Sequence, residues 1–186
     1  MALAVAFQEL RVRLQQLEEC LGALQVTVVE DTPARGETVL VDQFGNTTLD
    51  IRGLLAEAIA ASGEATQAVV YPLDVDSARR GLARCQERFH LVSRRFAADL
   101  VCYERIADLT SLGLERRGEW RAWSRAVKDA IEGCRYPLDQ VADALFQCWQ
   151  EIGERVGMSS VLVRTTNVGQ QFSGNAAGDL VREGTS

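Results

Sequence analysis

The residues best suited to metal chemistry are Glu87 and His90, which lie three positions apart in the run ERFH. This spacing places both side chains on one face of a helix, as in the ExxH motif of ferritin-like di-iron proteins. A di-iron site needs that motif twice, however, and His90 is the only histidine in the chain. We therefore expect no metal site here and interpret His90 as an ordinary helix residue.

Residues for other kinds of catalysis do not form a recognised pattern either. The sequence contains no GxSxG nucleophile motif and neither of the phosphate-binding motifs GxxxxGK[ST] and GxGxxG. Carboxylates one turn apart, such as Glu104 and Asp108, are available for acid–base work, but such pairs are usually solvated helix residues. The sequence predicts no catalytic residue, no metal and no cofactor, and it favours a protein that is not an enzyme.

Cysteine usage and hydropathy bear on the compartment. The five cysteines are scattered, form no CxxC pair and are odd in number, which is typical of a reducing compartment where thiols stay free for packing. The run MALAVAFQEL lacks the basic start of a signal peptide, and no apolar run is long enough to span a bilayer. We expect a cytoplasmic protein that does not bind membranes.

A cluster of positive charge lies at residues 79–95 of a chain whose net charge is −6. The cluster contains six arginines and one acid, Glu87, so its charge is +5. Arg80, Arg84 and Arg88 recur every four residues and share one side of a predicted helix. Our first expectation is pairing with acids of neighbouring helices, and our second is docking of an acidic partner protein. Nucleic-acid binding is least favoured, because the net charge of the chain opposes it.

Two tryptophans, Trp120 and Trp123, lie one helical turn apart. Burial between helices is the default interpretation, because large side chains supply much of a helical core. The alternative is an aromatic hot spot on a surface that binds a partner, where tryptophan is enriched.

The strongest structural pattern is an apolar seam with alternating spacings of four and three residues, which predicts a helix. The seam consists of Leu3, Phe7, Leu10, Leu14, Leu17, Leu21, Leu24 and Val28. Such a helix faces partners that lie nearly parallel to it, either other helices of the chain or a second copy. Homo-oligomerisation through this first helix is therefore one hypothesis.

Residues 26–50 are ambiguous. VTVVED and TVLVDQF are rich enough in β-branched residues for a hairpin, but the four-three spacing continues from Val41 to Ala58. We favour a helix, and because the run GNTT at 45–48 has low helix propensity, a kink there or a helix that begins only near Leu49 are the alternatives. We expect this helix to end near residue 62, where ASGEATQA is typical of a loop.

The run YPLD occurs twice, at 71–74 and 136–139, each time before an amphipathic segment. Proline is favoured at the first position of a helix, and an aspartate in the first turn interacts well with the helix dipole. We interpret both copies as helix starts. Another helix is expected between them, carrying Trp120 and Trp123.

The sequence after Gly157 changes character. MSSVLVRTTNVGQQF is typical of an extended segment and SGNAAGDLVREGTS of a flexible one. The apolar residues of this tail are candidates for contact with a partner's surface or sheet edge, and the alternative is a frayed terminus.

The runs GEWRAW, FQCWQEIGERVGM and TTNVGQQF resemble segments of small helical proteins that bacteria encode in multi-gene signalling or defence systems. The resemblance covers the second half of the chain and includes no motif with an assigned chemistry. It implies a non-enzymatic component that acts together with other proteins.

The predicted architecture is an all-α bundle of about five helices over residues 1–157. It comprises a helical hairpin at 2–62 and three helices at 74–156, followed by an extended or flexible tail at 158–186.

The predicted function is a protein–protein interaction module, an adaptor or scaffold subunit. Its partner-binding candidates are Arg80, Arg84, Arg88, Trp120, Trp123, Val161, Val163, Val168 and Phe172. One alternative is a bundle that binds a small ligand or metal in its interior through Asp99, Tyr103, Glu104 and the thiols Cys85, Cys102, Cys134 and Cys148. The other is nucleic-acid binding through the arginines of 79–95.

Overall fold

The computed structural model describes residues 3–29, 38–70, 73–110 and 117–156. These ranges hold four α-helices, α1 (Leu3–Val29), α2 (Thr38–Val70), α3 (Val75–Thr110) and α4 (Arg117–Val156), and no strand. The predicted all-α class is confirmed for this part of the chain. The predicted tail at 158–186 lies outside the described residues.

Each helix packs against two others: α1 and α3 both contact α2 and α4. Neighbouring helices run in opposite directions. Trp123, near the start of α4, donates a hydrogen bond to the carbonyl of Thr27, near the end of α1. On α2 and α3 the order of the paired residues is reversed, since Glu57 pairs with Arg88 and the later Glu64 pairs with the earlier Arg84. The result is a four-helix bundle with up-down-up-down order, the arrangement that short connections favour.

The core of the bundle contains the whole seam predicted for α1. Each of its eight residues is at most 2% exposed. The same apolar cluster includes Phe44 and Ile51 of α2, Leu82 of α3, and Val127 and Ile131 of α4. Helices of the same chain therefore bury the α1 seam, and no second copy is needed to cover it.

The ambiguous region is helical where the structure describes it, at 26–29 and 38–50. Moreover, α2 continues to Val70, so the loop predicted at ASGEATQA is wrong. The buried residues Ala61, Ala65 and Val69 extend the apolar side of the helix through this run. Its hydroxyl groups are satisfied locally, since Thr66 donates to the carbonyl of Ser62 at 2.7 Å.

The predicted fourth and fifth helices form one helix, α4, with Pro137 in its interior. The expectation of about five helices is therefore wrong for the described residues, which hold four. A proline inside a helix removes one backbone hydrogen bond and costs about 3 kcal/mol. Buried side chains continue in register across it, with Ile131 and Cys134 before and Val141 and Leu145 after. Their burial, at about 1.5–3 kcal/mol for each large apolar side chain, outweighs the defect.

The two YPLD runs take different roles. The first precedes α3, where Asp74 caps the helix: its carboxylate accepts the Ser77 backbone N–H at 2.9 Å and the Ser77 hydroxyl at 2.5 Å. Bonding to that hydroxyl, followed by the N–H bond, lowers the pKa of Asp74. The second run lies within α4, so its interpretation as a helix start is wrong.

No helix among the described residues combines the length and apolar character that crossing a membrane requires.

Candidate functional site

Ion pairs connect the outer sides of α2 and α3 at two levels. Arg88 Nε lies 2.9 Å from Glu57 Oε2, and the guanidinium of Arg84 pairs with Glu64. Arg80, Arg84 and Arg88 form a stripe of positive charge on α3, and the expected intramolecular pairing is confirmed for two of these three stripe arginines. The third, Arg80, donates to the Ser77 hydroxyl at 2.9 Å. All four paired side chains are substantially exposed, so each pair contributes at most about 1 kcal/mol.

A third level with the same charge pattern carries no ion pair. Asp50 lies seven residues before Glu57 on α2, and Arg95 lies seven residues after Arg88 on α3. Because the two helices are antiparallel, these steps lead to the same level of the bundle. Asp50 and Arg95 do line one groove, yet the described ion pairs do not include one between them.

The groove is open to solvent and has a volume of about 320 Å³. It is lined by Leu49, Asp50, Gly53, Leu54, Glu57 and Arg95. Leu49 is 48% exposed, although it is a large apolar residue in the middle of a long helix. A Cβ atom at Gly53 would meet no atom within 4 Å, so there is open space at this residue, which is exposed.

Three charged residues line the groove: Asp50 and Glu57 from α2, and Arg95 from α3. Glu57 is paired with Arg88, which leaves Asp50 and Arg95 as the two charges on opposite walls. Arg95 and its neighbour Arg94 are exposed, and neither pairs with an acid among the described side chains. The side chain of Asp99, one turn further along α3, is outside the described residues. Asp50 supplies the opposite charge from α2. Sequence reasoning missed this site, although a signal existed in the seven-residue spacing of Asp50, Glu57 and Glu64.

The predicted aromatic site is only partly described. Trp123 is 4% exposed, and its indole N–H donates to the Thr27 carbonyl at 2.9 Å. It therefore belongs to the packing between α1 and α4, in agreement with the core interpretation, and is not presented on the surface. The remaining candidates are not described: the side chain of Trp120, and Val161, Val163, Val168 and Phe172.

Three of the four thiols proposed for an interior ligand site are unreactive because they are buried. Cys85, Cys134 and Cys148 are free and fully buried, and burial raises the pKa of each to about 12. The described residues contain no group of three or more histidine, cysteine or acidic side chains that could hold a metal ion.

Other residues of the interior-site hypothesis are only partly described. The Tyr103 hydroxyl forms a hydrogen bond with the Ser124 hydroxyl at 3.0 Å. The side chains of Asp99, Cys102 and Glu104 lie outside the described residues. Glu87 and His90, the pair with the spacing of metal ligands, are both exposed on α3.

Comparison with known proteins assigns no family. No protein-family model, no curated protein and no solved structure matches this chain. The case for the groove as a functional site therefore rests on its own geometry.

Proposed function

We propose that this chain is a protein–protein interaction module, an adaptor or scaffold subunit that binds a partner protein on the face shared by α2 and α3. The observation that carries the proposal is the groove beside Leu49. At the levels of Glu57 and Glu64, ion pairs connect α2 to α3. At the third level a half-exposed leucine lies beside two charges that do not pair with each other.

The α1 seam is a less suitable surface for a partner. Its residues are at most 2% exposed because α2 and α4 cover them within the chain. A second copy would have to displace these helices before it reached the seam. The proposal therefore replaces self-association through α1 with binding at the outer face of α2 and α3.

A protein suits this face better than nucleic acid does. Two of the stripe arginines are neutralised by glutamates at ion-pair distance, and Asp50 places a negative charge in the groove itself. Phosphates would meet these carboxylates on a chain whose net charge is already −6.

The shape of the groove also disfavours a small ligand. Sites for small molecules are concave and bury about 70–90% or more of the ligand surface. This groove is open to solvent, so a small ligand would remain largely hydrated. An extended partner covers such a surface by contacts on both sides of the groove.

Site-specific photo-crosslinking in the source cells tests the proposal. A photoreactive amino acid replaces Leu49 in one variant and Ala126, which is exposed on α4, in a control variant. We expect illumination to link the Leu49 variant to one partner protein and the Ala126 variant to none. Equal products from both positions, or no product from Leu49, would contradict the proposal. A product of twice the chain mass would instead identify a second copy as the occupant.

A further inference from the structure

We infer that the groove between Asp50 and Arg95 accepts an α-helix of the partner protein, one whose apolar seam carries an acidic residue on one flank and a basic residue on the other. The inference rests on the proposed function and specifies the chemistry of the partner. The expected partner surface is therefore not generally acidic, as the sequence suggested, but carries both an acidic and a basic residue.

The ion pair between Glu57 and Arg88 and the two charges of the groove share one register. Glu57 with Arg88 and Asp50 with Arg95 are related by the same seven-residue step on each helix, about 10 Å along the axis. The acid and the arginine that pair at Glu57 and Arg88 therefore have counterparts of the same charge at Asp50 and Arg95. Asp50 and Arg95 both line the groove but do not form an ion pair with each other.

An apolar surface lies beside the two charges. Leu49 is 48% exposed and Leu54 is half-buried, and Gly53 between them has no side chain to fill the groove. Helices in grooves bind through apolar side chains that recur every three or four residues along one face. A leucine-sized side chain from such a helix would remove Leu49 from water, and Gly53 leaves room for its close approach.

The opposite charges of Asp50 and Arg95 select the flanks of a bound helix. A helix lying in the groove places the two flanks of its seam against the two walls, as the e and g positions do in a coiled coil. An acid on the α3 side pairs with Arg95, and a base on the α2 side pairs with Asp50. A helix with acids on both flanks would be repelled by Asp50, and one with bases on both flanks by Arg95.

Three synthetic helical peptides with the same leucine seam test this inference against the purified full chain. Their flanks carry one acid and one base, acids only, or bases only, and binding is measured by fluorescence anisotropy at fixed salt. We expect the mixed peptide to bind about fivefold more tightly than the other two. Reversing the direction of a bound helix exchanges its flanks, so this ranking does not depend on orientation.

Charge substitutions in the groove should change the ranking in opposite ways. Asp50→Arg should make the acid-only peptide the tightest, and Arg95→Glu should make the base-only peptide the tightest. Arg94→Glu makes the same charge change on an exposed neighbour that does not line the groove, and it should leave the mixed peptide first. Leu49→Ala should weaken all three peptides. Circular dichroism checks that each variant remains folded.

The inference is overturned if no peptide binds, if the ranking is the same in every variant, or if Arg94→Glu acts like Arg95→Glu. If one of these results were found and the Leu49 variant still crosslinked to a partner protein, the proposed function would remain supported. The bound part of the partner would then not be a helix. Concentration-dependent dimerisation that Arg95→Glu abolishes would assign the groove to a second copy and would likewise overturn the inference.

Discussion

At the scale of single residues, burial controls the chemistry of the cysteines. Cys85, Cys134 and Cys148 are each fully buried, and the loss of hydration is the main cause that raises their pKa from 9.0 to about 12. The thiolate is the reactive form of cysteine, and at neutral pH its population falls on the order of 1,000-fold with such a shift. These thiols pack the core and are poor nucleophiles.

The same shift predicts that stability decreases in alkali. Each buried thiol keeps its proton up to about pH 12 in the folded chain, whereas the unfolded chain releases it near the ordinary pKa of 9.0. Between these values the folded state binds more protons, so the free energy of unfolding falls by about 1.4 kcal/mol per pH unit for each thiol. Urea denaturation from about pH 7 to about pH 10.5 measures this slope.

Cys148→Ala supplies the comparison for that experiment. Removal of one thiol should make the slope above about pH 9 shallower, while tyrosine and lysine titration remains as in the parent chain. An unchanged slope in Cys148→Ala would show that burial of this thiol does not contribute to the alkaline loss.

The two YPLD runs show that the role of a residue depends on its neighbours further along the chain. Asp74 is a cap because Ser77 donates two hydrogen bonds to its carboxylate. Asp139 belongs to an identical run but lies exposed within α4, three residues after Tyr136, which is 68% exposed. The local sequence predicts a helix start at both runs. Packing of the residues on either side of Pro137 makes the second run part of one continuous helix.

At the scale of helices, α2 and α3 approach each other closely at Gly81. A Cβ atom placed there would lie 2.8 Å from the Ala65 Cβ and 3.0 Å from the Ala65 backbone nitrogen. Other small buried residues, Ala58 and Ala61 of α2 and Ala78 of α3, belong to the same core. The short distance between these helices is what brings Glu57 and Glu64 within reach of their arginines.

Gly81→Ala should therefore destabilise the bundle, although alanine is the better helix former by about 1 kcal/mol. The added methyl group meets backbone atoms that cannot rotate away, so we expect a net loss of about 1–3 kcal/mol in urea denaturation. Gly63→Ala is the control, because a Cβ there meets no atom within 4 Å. It should stabilise the chain by about 0.5–1 kcal/mol. Equal stabilisation by both substitutions would exclude the close approach.

At the scale of the whole molecule, four helices enclose one apolar core, and α1 contributes its full seam to it. A seam of this kind has the same sequence whether it faces its own chain or another copy. The distinction lies in the neighbours, and here α2 and α4 of the same chain occupy both sides of α1.

Leu14→Ser distinguishes the two situations. Leu14 is fully buried, so the substitution should lower the free energy of unfolding by about 2–5 kcal/mol and reduce the melting temperature seen by circular dichroism. Val5→Ser is the control on the same helix, because Val5 is 54% exposed, and it should change stability by no more than about 0.5 kcal/mol. A Leu14→Ser chain that stayed equally stable but became smaller by light scattering would place the seam between copies.

The helical class, the extent of the α1 seam and the free state of the described thiols could all be predicted from the sequence. These properties follow from local periodicity and composition, because a helix repeats about every 3.6 residues and reveals its buried side within a few turns. The intramolecular use of Arg84 and Arg88 was expected from charge balance, but their partners, Glu64 and Glu57, were not.

Which helices are neighbours, and at what register they pack, became clear only from the folded structure. That arrangement joined two predicted helices through Pro137, extended α2 to Val70 and buried Trp123 against α1. It also brought Asp50 and Arg95 to the same groove beside Leu49. The physical reason is that contacts between helices depend on the packing of residues far apart in sequence, and the energy of that packing exceeds the local preferences of proline, glycine and charged side chains.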